Sequence, residues 1–240
     1  STVTLAFRPI ARTRHSRRVV PKADAMPRFT PLEQRIDDWA HGRLDRLPEH
    51  GWRARLVELI VFVLKQAWAC IFGAALLTLF VVTALWYPPD AVIARNDALV
   101  IGAVLIQVFM LVFRLEAPRE AITIVVFHIV GTVMEVFKTA AGSWAYEPDG
   151  ILRIGEVPLY SGFMYAAIGS YMVRVYRLFD LRFDRYPRRW FTAILAAAIY
   201  ANFFTHHWIW DARWVLFAAV LATFGFTTMH ARIARARIQL

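Results

Sequence analysis

His128, Thr132 and Glu135 fall at i, i+4 and i+7, and Lys138 follows three residues on, so a helix through this stretch carries all four on one face. The surrounding sequence is apolar. A charge at the centre of a membrane helix costs roughly 2.5–3.5 kcal/mol, so such a face must point into a bundle. A second set of residues, Asn202, His206, His207 and Asp211, repeats the pattern near the end of a later apolar stretch. Between the two lie Trp144, Tyr146 and Tyr160, which place aromatic and hydroxyl groups at the same level.

Three kinds of chemistry fit these residues. In the first, Glu135 and Lys138 are an i, i+3 pair that offsets both charges, and His206 and His207 are interfacial residues beside the belt of Trp208 and Trp210. In the second, Glu135 is a general acid with Lys138, His206 or His207 as catalytic partners. Its substrate would then lie against His128, Trp144, Tyr146, Tyr160, Asn202 and Asp211. In the third, His128, Thr132 and Glu135 relay protons or ions. No metal site is expected, because adjacent histidines on a helix point ~100° apart, and the chain has no His-Glu-x-x-His. Phosphate loops, Gly-x-Gly-x-x-Gly turns and Gly-x-Ser-x-Gly elbows are absent, so no nucleotide cofactor is expected. The lone Cys70 excludes an intrachain disulfide.

Helices must position these groups, and the composition says in what solvent. With 58% hydrophobic and 15% aromatic residues and a mean hydropathy of +0.44, the chain has more apolar surface than a soluble core of its size buries. The periodicity predicts an all-α, polytopic transmembrane bundle of about six spans, near 56–86, 98–113, 121–137, 157–179, 191–204 and 212–229. Gly162, Ala166, Gly169 and Ser170 form a small-residue stripe suited to close helix packing. Before the first span, Thr30, Pro31 and Glu33 spell a helix start, and Leu32, Ile36, Trp39 and Leu47 give the following helix an amphipathic face. That helix lies either in the headgroup region or docked on the protein's own cytoplasmic side. The expected division is a basic arm over 1–29, an amphipathic segment over 30–55, a membrane domain over 56–230 and a basic tail over 231–240.

A formal charge of +10 invites a nucleic-acid reading, but the basic residues sit in the arm and in alternate loops between apolar stretches. Arg114 and Arg119, the group from Arg174 to Arg189, and the tail's Arg232, Arg235 and Arg237 fall on one side. Arg95, Lys138, Arg153 and Arg213 fall on the other, interspersed with acids. The positive-inside rule then puts both termini in the cytoplasm of a bacterial inner-membrane protein. The expected partners are the lipid bilayer and a lipid or isoprenoid ligand, with no nucleic acid.

The strings FHIVGTVMEVFKTAAGSWAY, VPLYSGFMYAAIGSYMVRVYR and IYANFFTHH resemble the bacterial membrane family known as domain of unknown function 817. The resemblance spans roughly residues 62–213 and implies a multi-pass membrane protein, without bringing an activity. Glu135, Lys138, Trp144, Tyr146, Pro158, Asn202, His206 and His207 fit its motifs. The family loop reads Trp-x-Tyr-Pro-Glu where this chain has Glu147-Pro148 after Tyr146, and its members are expected to continue with further spans. More distantly, an acid in a helix under an aromatic loop is similar to membrane enzymes that hydrate or cyclise carotenoids.

Overall fold

The computed structural model describes residues 29–48 and 51–239, so most of the basic arm lies outside the described residues. Helix α1 (Pro31–Leu44) begins as its sequence dictates: the Thr30 hydroxyl accepts from the Glu33 N–H at 3.5 Å, and the Glu33 carboxylate accepts from the Thr30 N–H at 2.7 Å. It docks on the protein itself. Ala40 and Leu44 are buried against Ala54, Val61, Ile233 and Ala234, while Leu32 and Trp39 stay exposed.

The first expected span is two helices, α2 (Trp52–Ala69) and α3 (Ile71–Trp86), meeting at a 58° bend. No proline causes it. The break leaves the Trp68 carbonyl to be met from α6 (Tyr160–Leu178) by the Arg174 guanidinium at 3.4 Å, a side chain inserted at the interrupted helix. Helices α4 (Arg95–Val112), α5 (Pro118–Ala140), α7 (Arg189–Thr205) and α8 (Arg213–Phe224) fall where the apolar stretches predict.

Among the described residues there are eight helices, and the all-α expectation is corrected by small sheets. Strands β1 (Arg153–Ile154) and β2 (Val157–Pro158) pair antiparallel about Gly155. Strands β3 (Arg182–Asp184), β4 (Thr228–Arg232) and β5 (Arg237–Gln239) form an antiparallel sheet in that order. The sixth apolar stretch is therefore shorter than expected. Helix α8 stops at Phe224, Gly225 caps it, and the following residues pair with β3 instead of prolonging the helix. Helix α4 and residues Glu120–Ala140 are long and apolar enough to cross a membrane, and the bent pair α2–α3 adds a third if counted as one span.

Helices α5 and α6 make the closest pair, and small residues permit it. A Cβ on Gly131 would lie 2.4 Å from the Tyr165 ring, one on Gly162 2.3 Å from the Thr132 hydroxyl, and one on Gly169 2.7 Å from Phe127. Gly162, Ala166, Gly169 and Ser170 are all buried, as the stripe predicts. Overpacking costs about 1–3 kcal/mol, so Gly131→Ala should lower the thermal midpoint of the detergent-solubilised protein while Gly42→Ala, with open space around it, should not.

Candidate functional site

Glu135 lies near the end of α5 and is 5% exposed. Its carboxylate accepts three hydrogen bonds: from the Tyr146 hydroxyl at 2.5 Å, the Trp144 indole N–H at 3.0 Å and the Tyr165 hydroxyl at 2.6 Å. Both oxygens are used. Burial first, and then the neighbouring Glu135 carboxylate, push the Tyr146 phenol well above its ordinary value, so it remains a donor throughout the physiological range.

The start of α4 positions the loop that supplies Trp144 and Tyr146. Asp97, 8% exposed, accepts from the backbone N–H groups of Ile151 at 2.9 Å and Leu152 at 2.8 Å. Gly150 stands between them with φ +82°, and a Cβ there would fall 2.4 Å from Asp97 Oδ1. Asn96 Nδ2 donates to the Asp149 carbonyl at 3.3 Å.

Lys138 does not turn to Glu135. Its ammonium stands 3.3 Å from His207 Nε2 and 4.4 Å over the Phe203 ring. His206 and His207 stack at 4.1 Å, and the His206 Nδ1 is anchored to the carbonyls of Asn202 and Phe203. Asn202 and Asp211 bond each other at 3.2 Å, and Asn202 also accepts from the Ala212 N–H at 2.8 Å, which ties the end of α7 to the start of α8. The backbone N–H of Arg213, followed by Asn202 and the Arg213 side chain, holds the Asp211 carboxyl below its ordinary value. The two predicted clusters are therefore neighbours through Lys138, with Phe137 packed edge-on to Phe204 at 4.8 Å. His128 lies one level deeper against the Phe163 ring at 4.5 Å, and Thr132 donates back to the His128 carbonyl. Tyr160 packs 6.5 Å from the Phe80 ring. Among the described residues no three His, Cys, Asp or Glu side chains converge as a metal site.

The opposite end of α5 and α6 holds a second polar cluster that sequence reasoning missed. Glu116 and Arg174 pair at 3.2 Å with both side chains fully buried, and Gln107 and Ser170 also donate to Glu116. Arg177 bridges Glu33 of α1 and Glu120 of α5, each at 2.5 Å, while the Trp68 indole N–H donates to Glu33 at 2.8 Å. Lys65 donates to the carbonyls of Leu178, at 3.0 Å, and Ile233. The signal was present: Glu116 and Glu120 are i, i+4, and Arg174 and Arg177 lie inside an apolar stretch. The positive-inside reading absorbed those arginines as loop charges. Phe72, Met110, Ile124 and Ala166 form a buried apolar cluster.

Residues 58–240 match the family described as Protein of unknown function (DUF817). The chain belongs to this family. It is 37% identical over 183 residues to the Uncharacterized protein YoaT of Bacillus subtilis (strain 168), an alignment covering 76% of this chain and 69% of that protein. No solved structure matches it. The DUF817 region contains Glu135 and its three donors and the Glu116–Arg174 pair, whereas Glu33 and the rest of α1 lie before it.

Proposed function

We propose that the chain is a six-pass bacterial inner-membrane enzyme acting on a lipid or isoprenoid, with Glu135 as its acid–base group at the outer face. On α5, Ile122, Val125, Ile129 and Val133 are each more than half exposed, along a stripe roughly 100° around the helix from His128, Thr132 and Glu135. A soluble monomer rarely exposes so continuous an apolar stripe, and lipid is its natural cover. With α2–α3 as one crossing, followed by α4 to α8, α1 and the β3–β4–β5 sheet share one side with both termini, and the basic loops favour the cytoplasm for that side. The arm over 1–29, the α1 segment over 30–55, the membrane unit over 56–230 and the tail over 231–240 follow that topology.

The observation carrying the enzyme reading is the buried Glu135 carboxylate held by donors from two sources. Tyr165 is fixed on α6, whereas Trp144 and Tyr146 come from a loop, and Trp144 is 44% exposed. Lifting the loop exchanges two of the three donors for a substrate group, while Tyr165 keeps the carboxylate oriented. Proton exchange with the substrate then occurs beneath an aromatic wall, out of bulk water. Transport has less support, because buried apolar residues separate the polar groups along the helix pair, Ile124 between Glu120 and His128 on α5 and Ala166 between Tyr165 and Ser170 on α6.

Lipid extracts of cells overproducing the wild type and Glu135→Gln, compared by mass spectrometry, test this reading. A lipid species should accumulate or disappear with the wild type and keep its control level with the variant. Indistinguishable lipid profiles from wild type, variant and empty-vector cells would remove it.

A further inference from the structure

We propose that Lys138 and His207 form a binding site for a phosphate group, the headgroup phosphate of an outer-leaflet lipid. The site rests on the preceding reading only for the membrane level at which it lies. Two nitrogen atoms, from α5 and from the turn after α7, converge to 3.3 Å with no carboxylate between them. The acids that stand near in sequence are committed elsewhere. Glu135 faces Trp144, Tyr146 and Tyr165, and Asp211 is taken by Asn202 and Arg213. A half-buried ammonium whose neighbouring acids are engaged, beside an imidazole, presents hydrogen-bond donors to an incoming oxyanion. Phe137, Phe203, Phe204 and Trp208 surround the pair and offer apolar surface to the acyl chains of such a lipid.

His207 gives the site a pH dependence. Its aromatic surroundings remove some water, and His206 and Lys138 repel a further positive charge, so the imidazole titrates below the ordinary histidine value. The charged and titratable groups around it are Lys138 and Glu135 on α5, His206 beside it, and the Asp211–Arg213 pair at the start of α8. Without ligand at neutral pH, His207 accepts from Lys138. As pH falls through its titration it becomes a second donor, so anion binding should tighten on acidification.

The experiment titrates the full chain in neutral detergent with short-chain phosphatidylglycerol and, separately, with inorganic phosphate. Lys138→Gln should weaken phosphatidylglycerol binding about tenfold, the scale of one charge-assisted hydrogen bond, and His207→Gln should do so once the pH is low enough to protonate the wild-type imidazole. Lys138→Arg should stay close to the wild type. Competition by inorganic phosphate at similar concentrations would support the phosphate site and assign it to a soluble ligand, whereas no competition would support the lipid headgroup. Unchanged binding by both Gln variants would overturn the site. Glu135→Gln separates this proposal from the enzyme: it should abolish lipid conversion yet keep headgroup binding.

Discussion

Arg174→Met should be among the most destabilising substitutions in the chain. It leaves the fully buried Glu116 carboxyl without its guanidinium and, among the described residues, with only Gln107 and Ser170 donating to it. Removing one partner of a buried ion pair costs roughly 3–5 kcal/mol. It also frees the Trp68 and Leu115 carbonyls that the guanidinium satisfies at 3.4 Å. The loss should appear as a large drop in the thermal midpoint in detergent. Arg174→Met/Glu116→Leu should recover much of it, because an apolar pair of similar volume avoids the isolated charge. A single variant as stable as the wild type would show that the pair is not buried as described.

Glu135→Leu should have the second largest effect, for a different reason. It strands three donors, and an unsatisfied buried donor costs about 1–3 kcal/mol. Trp144 is open enough to turn to water, so the loss concentrates on Tyr146 and Tyr165, for a total of about 2–4 kcal/mol. Glu135→Gln keeps one acceptor oxygen and should cost less. Amide hydrogen exchange should locate the effect: residues 141–149 should lose protection in Glu135→Leu, while the Ile151 and Leu152 amides, held by Asp97, should keep theirs. Uniform loss of protection across the chain would contradict a local role for this carboxylate.

The parts of this structure that obey local rules were legible in the sequence. Thr30 and Glu33 announced a capping box, the small residues of α6 announced a close neighbour, and the spacing of His128, Thr132 and Glu135 put them on one face. Partners distant in sequence were not legible. Tyr165 meets Glu135 from a helix thirty residues on, and only the absence of a Cβ at Gly131 lets it sit there. Glu33 illustrates the same limit, since its second task, accepting from Trp68 and Arg177, depends on how α1 docks. The bend at Cys70 carries no proline signal, and α8 ends early because β4 finds an edge in β3, a pairing that hydropathy does not encode. One of the three readings pairs Lys138 with Glu135 from i, i+3 spacing, yet its long side chain reaches His207 across the helix pair.

Placement of the Glu135 end and the Arg174 end on opposite faces of a membrane underlies all of the proposed chemistry, and side-specific labelling tests it most directly. In a Cys70→Ser background, single cysteines at Ser143 and Asp184 would be challenged in intact spheroplasts with a membrane-impermeant maleimide. Ser143→Cys should label from outside, and Asp184→Cys only after the membrane is opened. Labelling of both from the same side, or in the reverse order, would contradict an outer-face site at Glu135.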